Sequence, residues 1–350
     1  MEYLKMMKMI HENILQFLDD EENESNNTVN EELIKIFQQN QFDKQELKSI
    51  LYLISRIAEN HHRTPRFLEK IKKIINFLKN QITKAFSNAE IFNYFKQCPI
   101  IILFLINDNI LTFNYDIGII IYQNDYQMLF YTELNKIHTV KYEIPEYYEE
   151  NRLKGENDSY LCELIRNDII EEFTTYHTKS GFLLSKTIEP SMYETNSFLE
   201  KKKPTLIEYS AFFGSIQIFR FLIQNQVELV PSLWLYAIHG RNPDIIHILE
   251  ENHIYPNDKT YQECLEESIK CHHNEFAHYF LNNYINEGND NHSNHFKNEI
   301  YYGFQYYNFE FMPIEFEDPF YFYCAVKYDY YRLVEYYINI EGLDINKSIV

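Results

Sequence analysis

The 350-residue sequence has few glycines, a deficit of basic residues and no long apolar stretch. Its eight glycines leave no G-x-G-x-x-G or G-x-x-x-x-G-K loop, which excludes the common cradles for nucleotide phosphates. Neither H-E-x-x-H nor C-x-x-C occurs, so the usual zinc-binding spacings are missing as well. The longest apolar run, Pro99 to Ile106, is too short to cross a bilayer.

The cysteines and the charge indicate a compartment and a class of partner. Five cysteines scattered along the chain, an odd number, fit free thiols in a reducing compartment. The N-terminus lacks the apolar core of a secretion signal, so we expect a cytoplasmic protein. A net charge of −20 argues against nucleic acid or an anionic membrane as partner and leaves another protein. No motif calls for a cofactor.

Apolar patterns with helical spacing are abundant, and the clearest lies between Pro204 and Glu228. Thr205 is placed to begin a short first helix, which Gly214 ends. The second helix follows from apolar residues that recur at intervals of about 3 to 4, the sign of one buried face: Ile216, Ile218, Phe219, Leu222 and Ile223. Two helices this short need neighbours for stability, which predicts a repeat protein.

The stretch Thr205 to Gly214 resembles an ankyrin repeat, Thr-Pro-Leu-His-x-Ala-Ala-x-x-Gly, with Leu206 in the Pro slot and Glu208 in the His slot. With the following SLWLYAIHGRNPDIIHILEEN, it resembles more specifically a large family of protist proteins described as ankyrin repeats joined to a domain of unknown function. The matching motifs cover Pro204 to about Ile254 closely, and the flanks match by pattern only. The resemblance implies stacked helix pairs. The closing Gly342–Asn346 resembles the exit of such a repeat.

Similar units recur from about Ser87 onward. The small-residue slot of the first helix falls at seven positions, and three of the six intervals between them are about 27 to 31 residues: Asn93, Ile121, Leu164, Ser210, Ala237, Ser268 and Ala325. Pro99 and Pro243 occupy the same slot, at the first turn of a second helix. Of the three longer gaps, the one after Leu164 holds residues 185–203, and the one after Ser268 holds a degenerate helix at 296–307.

The predicted fold is therefore all-α, an ankyrin-like helix-pair solenoid preceded by an N-terminal helical region. Residues 1–86 show helical patterns without a repeat and are predicted to form that region or a cap. Residues 87–160 are predicted to be divergent repeats. Residues 161–350 are predicted to form an ankyrin-repeat domain with an insertion near 285–320.

We expect a non-catalytic scaffold that binds a protein partner through the concave face of the first helices. In the ankyrin frame, positions beside the small-residue slots face outward there, and aromatic side chains at such positions serve as interface anchors. The candidate partner-binding residues are Glu208, Tyr209, Phe213, Tyr236, His239, Lys270, Lys327 and Tyr328. For the aromatic ones, packing against the next unit is an equal alternative.

Two other functions stay open. One is an enzyme or enzyme-regulatory subunit, with a site in residues 1–86 or in the 285–320 insertion. The other is a purely structural spacer. The best metal candidates are Cys264, Cys271, His272, His273 and His278, but a predicted turn at His272 and His273 makes their side chains diverge, so we expect no metal. Adjacent acids such as Glu266 and Glu267 point about 100° apart on a helix, so we expect no catalytic dyad.

Overall fold

The structure is a computed structural model that describes residues 2–20, 27–64, 66–124, 126–137, 143–200, 202–285, 292–313 and 318–339. Within these ranges the backbone forms helices and loops, with one isolated antiparallel bridge between Thr187 and Thr205. The predicted all-α class is confirmed. The predicted exit Gly342–Asn346 and parts of the predicted insertion, 286–291 and 314–317, lie outside the described residues.

Twelve of the described helices precede residue 201. They are α1 (Glu2–Asp19), α2 (Asn27–Gln39), α3 (Lys44–Asn60), α4 (Phe67–Ala85), α5 (Asn88–Phe95), α6 (Pro99–Asn107), α7 (Tyr115–Gln123), α8 (Tyr131–Ile137), α9 (Tyr148–Lys154), α10 (Tyr160–Arg166), α11 (Ile170–Ser180) and α12 (Ser197–Glu200).

The rest of the chain carries nine described α-helices, one π-helical turn (Leu281–Ile285) and one 3-10 turn (Phe309–Phe311). The α-helices are α13 (Leu206–Phe212), α14 (Ile216–Gln224), α15 (Leu233–Gly240), α16 (Pro243–Glu251), α17 (Gln262–Lys270), α18 (Asn274–Phe280), α19 (His292–Tyr306), α20 (Pro319–Lys327) and α21 (Tyr331–Ile338).

Each of the seven predicted small-residue slots lies in a helix that is followed by a second helix. The first helices are α5, α7, α10, α13, α15, α17 and α20. Six of the slots are buried, because they sit where a neighbouring helix packs, and Asn93 is the exposed exception. The predicted capping is also found: Thr205 and Glu208 form a capping box at the start of α13, and Pro99 and Pro243 begin α6 and α16.

The chain divides into two compact units. One comprises residues 1–57, 64–86 and 265–350, and the other comprises 58–63 and 87–264. We call these the terminal unit and the central unit. The predicted boundary after residue 86 is close to a division between them, whereas no division falls at residue 160.

Between α10 and α16 of the central unit, consecutive helix pairs lie against one another in chain order. First helices contact first helices (α10 with α13, α13 with α15), and second helices contact second helices (α11 with α14, α14 with α16). The backbones of α13 and α15 touch, since a Cβ atom added to Gly240 would stand 2.0 Å from the Ala211 carbonyl oxygen. Only glycine fits a contact of that kind.

A left-handed residue separates the two helices in several of the pairs. Gly214, between α13 and α14, has a φ of +68°. At the equivalent turn of four other pairs a non-glycine residue has a similar positive φ: Asp168 (51°), Arg241 (50°), His272 (57°) and Asp329 (64°). The side chain of Asp168 also accepts from the backbone nitrogens of Gln217 and Ile218 at 3.0 and 2.9 Å, which caps the next second helix.

In the terminal unit, the N-terminal helices pack on helices from the end of the chain. Helix α1 contacts α2, α4 and the 3-10 turn. The ring of Tyr52 stacks on that of Tyr307 with centroids 4.9 Å apart, and His11 Nε2 lies 2.8 Å from His272 Nδ1 in a buried contact. Arg332 pairs with Asp43, and the Asp43 carboxylate also caps the start of α3.

Candidate binding face

The eight predicted binding residues differ in how far their side chains are exposed to solvent. Lys327 is exposed, and four others are partly exposed: Glu208, Phe213, Lys270 and Tyr328. Tyr209, Tyr236 and His239 are only 1%, 3% and 2% exposed. The expectation that these three face outward to a partner is wrong, because the chain's own residues cover them.

The covering element in the central unit is the segment 185–203, which the sequence analysis treated as a gap between repeats. Phe198 on this segment lies over the side chains of α13 and α15. Its ring centroid is 5.7 Å from that of Phe212, 5.0 Å from Tyr236 and 4.3 Å from His239. Lys202 completes the contact, with Nζ 3.8 Å from the Phe198 ring centroid. We call this set the covered face.

Hydrogen bonds attach the segment at several points. Ile188 donates its backbone N–H to the Pro204 carbonyl at 2.7 Å, and Asn157 donates its side-chain amide to the Glu189 carbonyl at 2.9 Å. Thr195 donates its hydroxyl to the Gly155 carbonyl at 2.7 Å. Because these bonds are distributed along its length, the segment is fixed in place as part of the core.

A carboxylate is buried beneath the same segment. Glu194 is 9% exposed, and burial raises the pKa of its carboxyl group above the usual value. It accepts from the Asn196 backbone N–H at 2.8 Å, and the guanidinium of Arg63 lies 3.9 Å away. A charge with hydrogen bonds and a cation nearby is tolerated in a core, so this arrangement is structural.

Tyr209 is held by polar contacts inside the unit. The Arg166 guanidinium donates to the Tyr209 hydroxyl at 3.0 Å and to the Asn157 carbonyl at 2.8 Å, and its Nε lies 2.9 Å from the Glu156 carboxylate. Burial raises the pKa of the Tyr209 phenol well above its usual value. The adjacent cavity, bordered by Tyr209 and Glu194, has a volume of about 110 Å³, below the range usual for small-molecule sites.

Three of the partly exposed residues have contacts within the chain. Glu208 accepts from the Thr205 backbone N–H at 2.8 Å and from the Ser232 hydroxyl at 2.6 Å. Phe213 packs on the Tyr209 ring at 4.8 Å, and Lys270 pairs with Glu267 at 2.9 Å. Glu208 therefore caps α13, whereas the part that the other two play in binding stays a prediction.

Around Lys327, in the terminal unit, the first-helix face is open. Lys327 donates to the Tyr301 hydroxyl at 2.6 Å, and its ammonium lies 4.8 Å from the Tyr301 ring centroid, 5.3 Å from Tyr328 and 5.6 Å from Tyr323. The hydrogen bond from Lys327 lowers the pKa of the Tyr301 phenol, and the same bond raises the pKa of Lys327. The ammonium is thus held in one position on the surface.

Further exposed apolar side chains lie on α20 and on α21, the helix that follows it. Tyr323 and Val326 are 40% and 53% exposed on α20, and on α21 Tyr331, Tyr336 and Ile338 are 50%, 43% and 61% exposed. We call Tyr323, Val326, Lys327, Tyr328, Tyr331, Tyr336 and Ile338 the open face. Of this set, only Lys327 and Tyr328 were predicted from the sequence to bind a partner. The three-residue spacing of Tyr323 and Val326 on one helix was a usable signal for two more.

The residues considered for metal binding have separate partners. His272 contacts His11, His278 Nε2 lies 3.7 Å from a Glu310 carboxylate oxygen, and the His273 ring packs on Phe276 at 6.4 Å. Cys264 and Cys271 are buried as free thiols. The predicted divergence of the histidine side chains agrees with this placement.

Among the helices of the described ranges, none combines the length and the apolar character that crossing a bilayer requires. Comparisons of the chain with protein-family models, with curated proteins and with solved structures gave no match. The functional argument therefore depends on the geometry of the covered and open faces alone.

Proposed function

We propose that the chain is a non-catalytic protein-binding scaffold built from ankyrin-like helix pairs, and that it docks its partner on the open face. The observation that carries this proposal is the Lys327 ammonium, which is hydrogen-bonded to Tyr301 and lies beside the rings of Tyr323 and Tyr328, with more exposed apolar side chains on α20 and α21. Exposed aromatic and apolar side chains beside a charged group are typical of protein–protein sites.

Three features support the repeat architecture as part of the proposal. Helix pairs contact one another in chain order in the central unit, the buried small-residue slots recur along the chain, and a left-handed residue lies at the equivalent turn of several pairs. A stack of such units presents side chains from fixed positions. Docking then costs little conformational entropy, which is the mechanism that we propose for binding.

The proposed partner carries an apolar patch with an acceptor group, such as a carboxylate, opposite Lys327. Tyr301 already restricts the Lys327 side chain, so little of its rotamer freedom is lost when the partner docks. A chain of net charge −20 is a poor partner for nucleic acid or an anionic membrane, and five buried free thiols support a reducing, cytoplasmic location.

Non-catalytic action is supported by the chemistry of the groove in the predicted N-terminal region. Its lining consists of phenylalanine, asparagine, glutamine, alanine and one lysine, Lys84. Amides do not titrate and are not nucleophiles, so the lining lacks an acid–base pair.

The test is capture of the partner by the tagged full-length chain from native lysate, with identification by mass spectrometry. Tyr323→Ala combined with Lys327→Ala should reduce the captured partner at least tenfold without changing the thermal melting temperature. Tyr255→Ala is the matched control, because Tyr255 is 57% exposed and belongs to the central unit. Equal capture by the double variant and the parent contradicts the assignment of the site, and a parent that captures nothing specific favours the spacer.

A further inference from the structure

A second site lies in the terminal unit, in a groove between the end of α2 and the outer side of α4. The groove has a volume of about 720 Å³, within the range of ligand sites. Its lining contains six amide side chains and three phenylalanines, and the members that matter most are Gln38, Gln41, Phe42, Asn76, Phe77 and Asn80. These residues lie outside the stretch that resembles an ankyrin repeat, and they are not part of the open face.

The groove is preformed by one glutamine. Gln81 donates its side-chain amide to the carbonyls of Phe37 and Asn40 at 3.1 and 3.3 Å, and its carbonyl accepts from the Phe42 backbone N–H at 3.2 Å. These three bonds fix the loop after α2 against α4. The Phe42 ring packs edge-on to the buried Phe37 ring at 6.1 Å, which supports the apolar floor.

The outer side of α4 presents a row of polar groups beside that floor. Lys73, Asn76, Asn80 and Lys84 are exposed, and their side chains have no partner among the described residues. An asparagine amide donates and accepts at once, so it matches the N–H and C=O of a peptide unit. Asn76 and Asn80 are about 6 Å apart along the axis, close to the two-residue repeat of an extended chain, about 6.6 Å.

The positive charge of α4 indicates that a peptide bound in the groove would be acidic. Helix α4 carries five lysines and one glutamate, although the whole chain has a net charge of −20. Lys73 and Lys84 are separated by about 16 Å along the helix. Carboxylates four residues apart on one side of an extended segment are about 13 Å apart, and the flexible lysine side chains can span the difference. A segment with carboxylates at that separation places one on each lysine and its backbone on the two asparagines.

We propose that this groove binds an extended acidic peptide segment of a partner protein. Lys73 and Lys84 contact its carboxylates, Asn76 and Asn80 bind its backbone, and Phe42 and Phe77 contact its alternate side chains. This site is independent of the open face, so the failure of either proposal leaves the other intact.

In the test, the full-length chain is titrated into a fluorescein-labelled hexapeptide in which Glu alternates with Val. Binding is measured by fluorescence anisotropy. We expect saturable binding that Lys73→Glu with Lys84→Glu weakens at least tenfold and that Asn76→Ala with Asn80→Ala weakens about five- to tenfold. The variant with both Lys73→Glu and Lys84→Glu should instead gain binding to a second labelled hexapeptide, in which Lys alternates with Val. Lys5→Glu with Lys96→Glu is the matched control, since it makes the same change in net charge at exposed lysines elsewhere.

Three results would overturn the proposal. The first is no saturable binding of the Glu–Val peptide to the parent. The second is equal weakening in the control pair, which would mean that only net charge matters. The third is binding of a short RNA as tight as that of the peptide and through the same lysines, which would make the groove a general polyanion site. Circular dichroism melting of each variant verifies that it is folded.

Discussion

The covered face and the open face differ in what lies over them. The covered face is formed by the first helices α13 and α15, and the open face by the pair α20 and α21. On α13 and α15, Phe198 and its segment bury Tyr236 and His239. On α20, Tyr323 and Val326 stay in contact with solvent. The position of a residue in a repeat therefore does not decide whether its side chain is exposed to solvent. A connecting segment between two helix pairs can cover the face that the repeat pattern leaves open.

The most damaging change to the covered face is Gly240→Ala. The new Cβ would meet the Ala211 carbonyl oxygen at 2.0 Å, so α13 and α15 must move apart and the packing over them is lost. We expect the free energy of unfolding to fall by about 3 to 4 kcal/mol in urea denaturation. Gly118→Ala is the control, because its Cβ finds ordinary contacts of 3.5 to 3.9 Å, and it should cost nothing.

Phe198→Ala removes the cover itself. Three ring contacts are lost and a cavity is left over Tyr236, which should cost about 2 to 3 kcal/mol and speed amide hydrogen exchange in α15. Tyr323→Ala on the open face is the counterpart and should change stability by less than about 0.5 kcal/mol. Equal costs for the two substitutions would remove the distinction between the faces.

A carboxyl group in the terminal unit gives a pH test. Burial raises the pKa of Glu299 on α19 from 4.5 to about 7, so the folded protein holds this proton more tightly than the unfolded chain does. The stability associated with that proton is present at acidic pH and is lost as the pH rises from 4.5 through about 7.

Glu299→Gln should remove this loss. After allowance for partial solvation, we expect the variant to exceed the parent by about 1 kcal/mol at pH 8 and to equal it at pH 4, in urea titrations. Glu12→Gln, at an exposed position on α1, is the control for the loss of one carboxyl group. A difference between Glu299→Gln and the parent that is the same at both pH values contradicts the assignment.

The smallest expected effect concerns a turn in the central unit. Gln226 is exposed and has a φ of +64°, a conformation that glycine adopts without strain. Gln226→Gly should raise the free energy of unfolding by about 0.5 kcal/mol, since relief of strain exceeds the entropy that glycine loses on folding. Gln224→Gly, at the last residue of α14, should lower it by about 0.5 kcal/mol, and the sign difference between the two is the measurement.

The local parts of the fold were predictable from the sequence. The Thr205 cap, the prolines that begin α6 and α16 and the buried slots each depend on residues within a few positions of one another. The predicted degenerate helix at 296–307 is found as α19, His292–Tyr306. Short-range periodicity and capping chemistry fix such features.

The placement of the binding residues was not predictable in the same way. Tyr236 is covered by Phe198, and Tyr209 is bound by Arg166 of the preceding helix pair. Both contacts join residues far apart in the sequence, and such contacts leave no local signal. The groove beside α4 was missed because each of its amides looks like an ordinary surface residue until Gln81 brings the two walls together.

The accessibility of individual tyrosines tests the central claim most directly. Hydroxyl-radical labelling of the native full-length chain, followed by mass spectrometry, measures it residue by residue. The account predicts rapid modification of Tyr323, Tyr331 and Tyr336, with Tyr209 and Tyr236 protected until the chain is unfolded. Labelling of Tyr209 and Tyr236 as fast as that of Tyr323 would contradict the distinction between a covered and an open face.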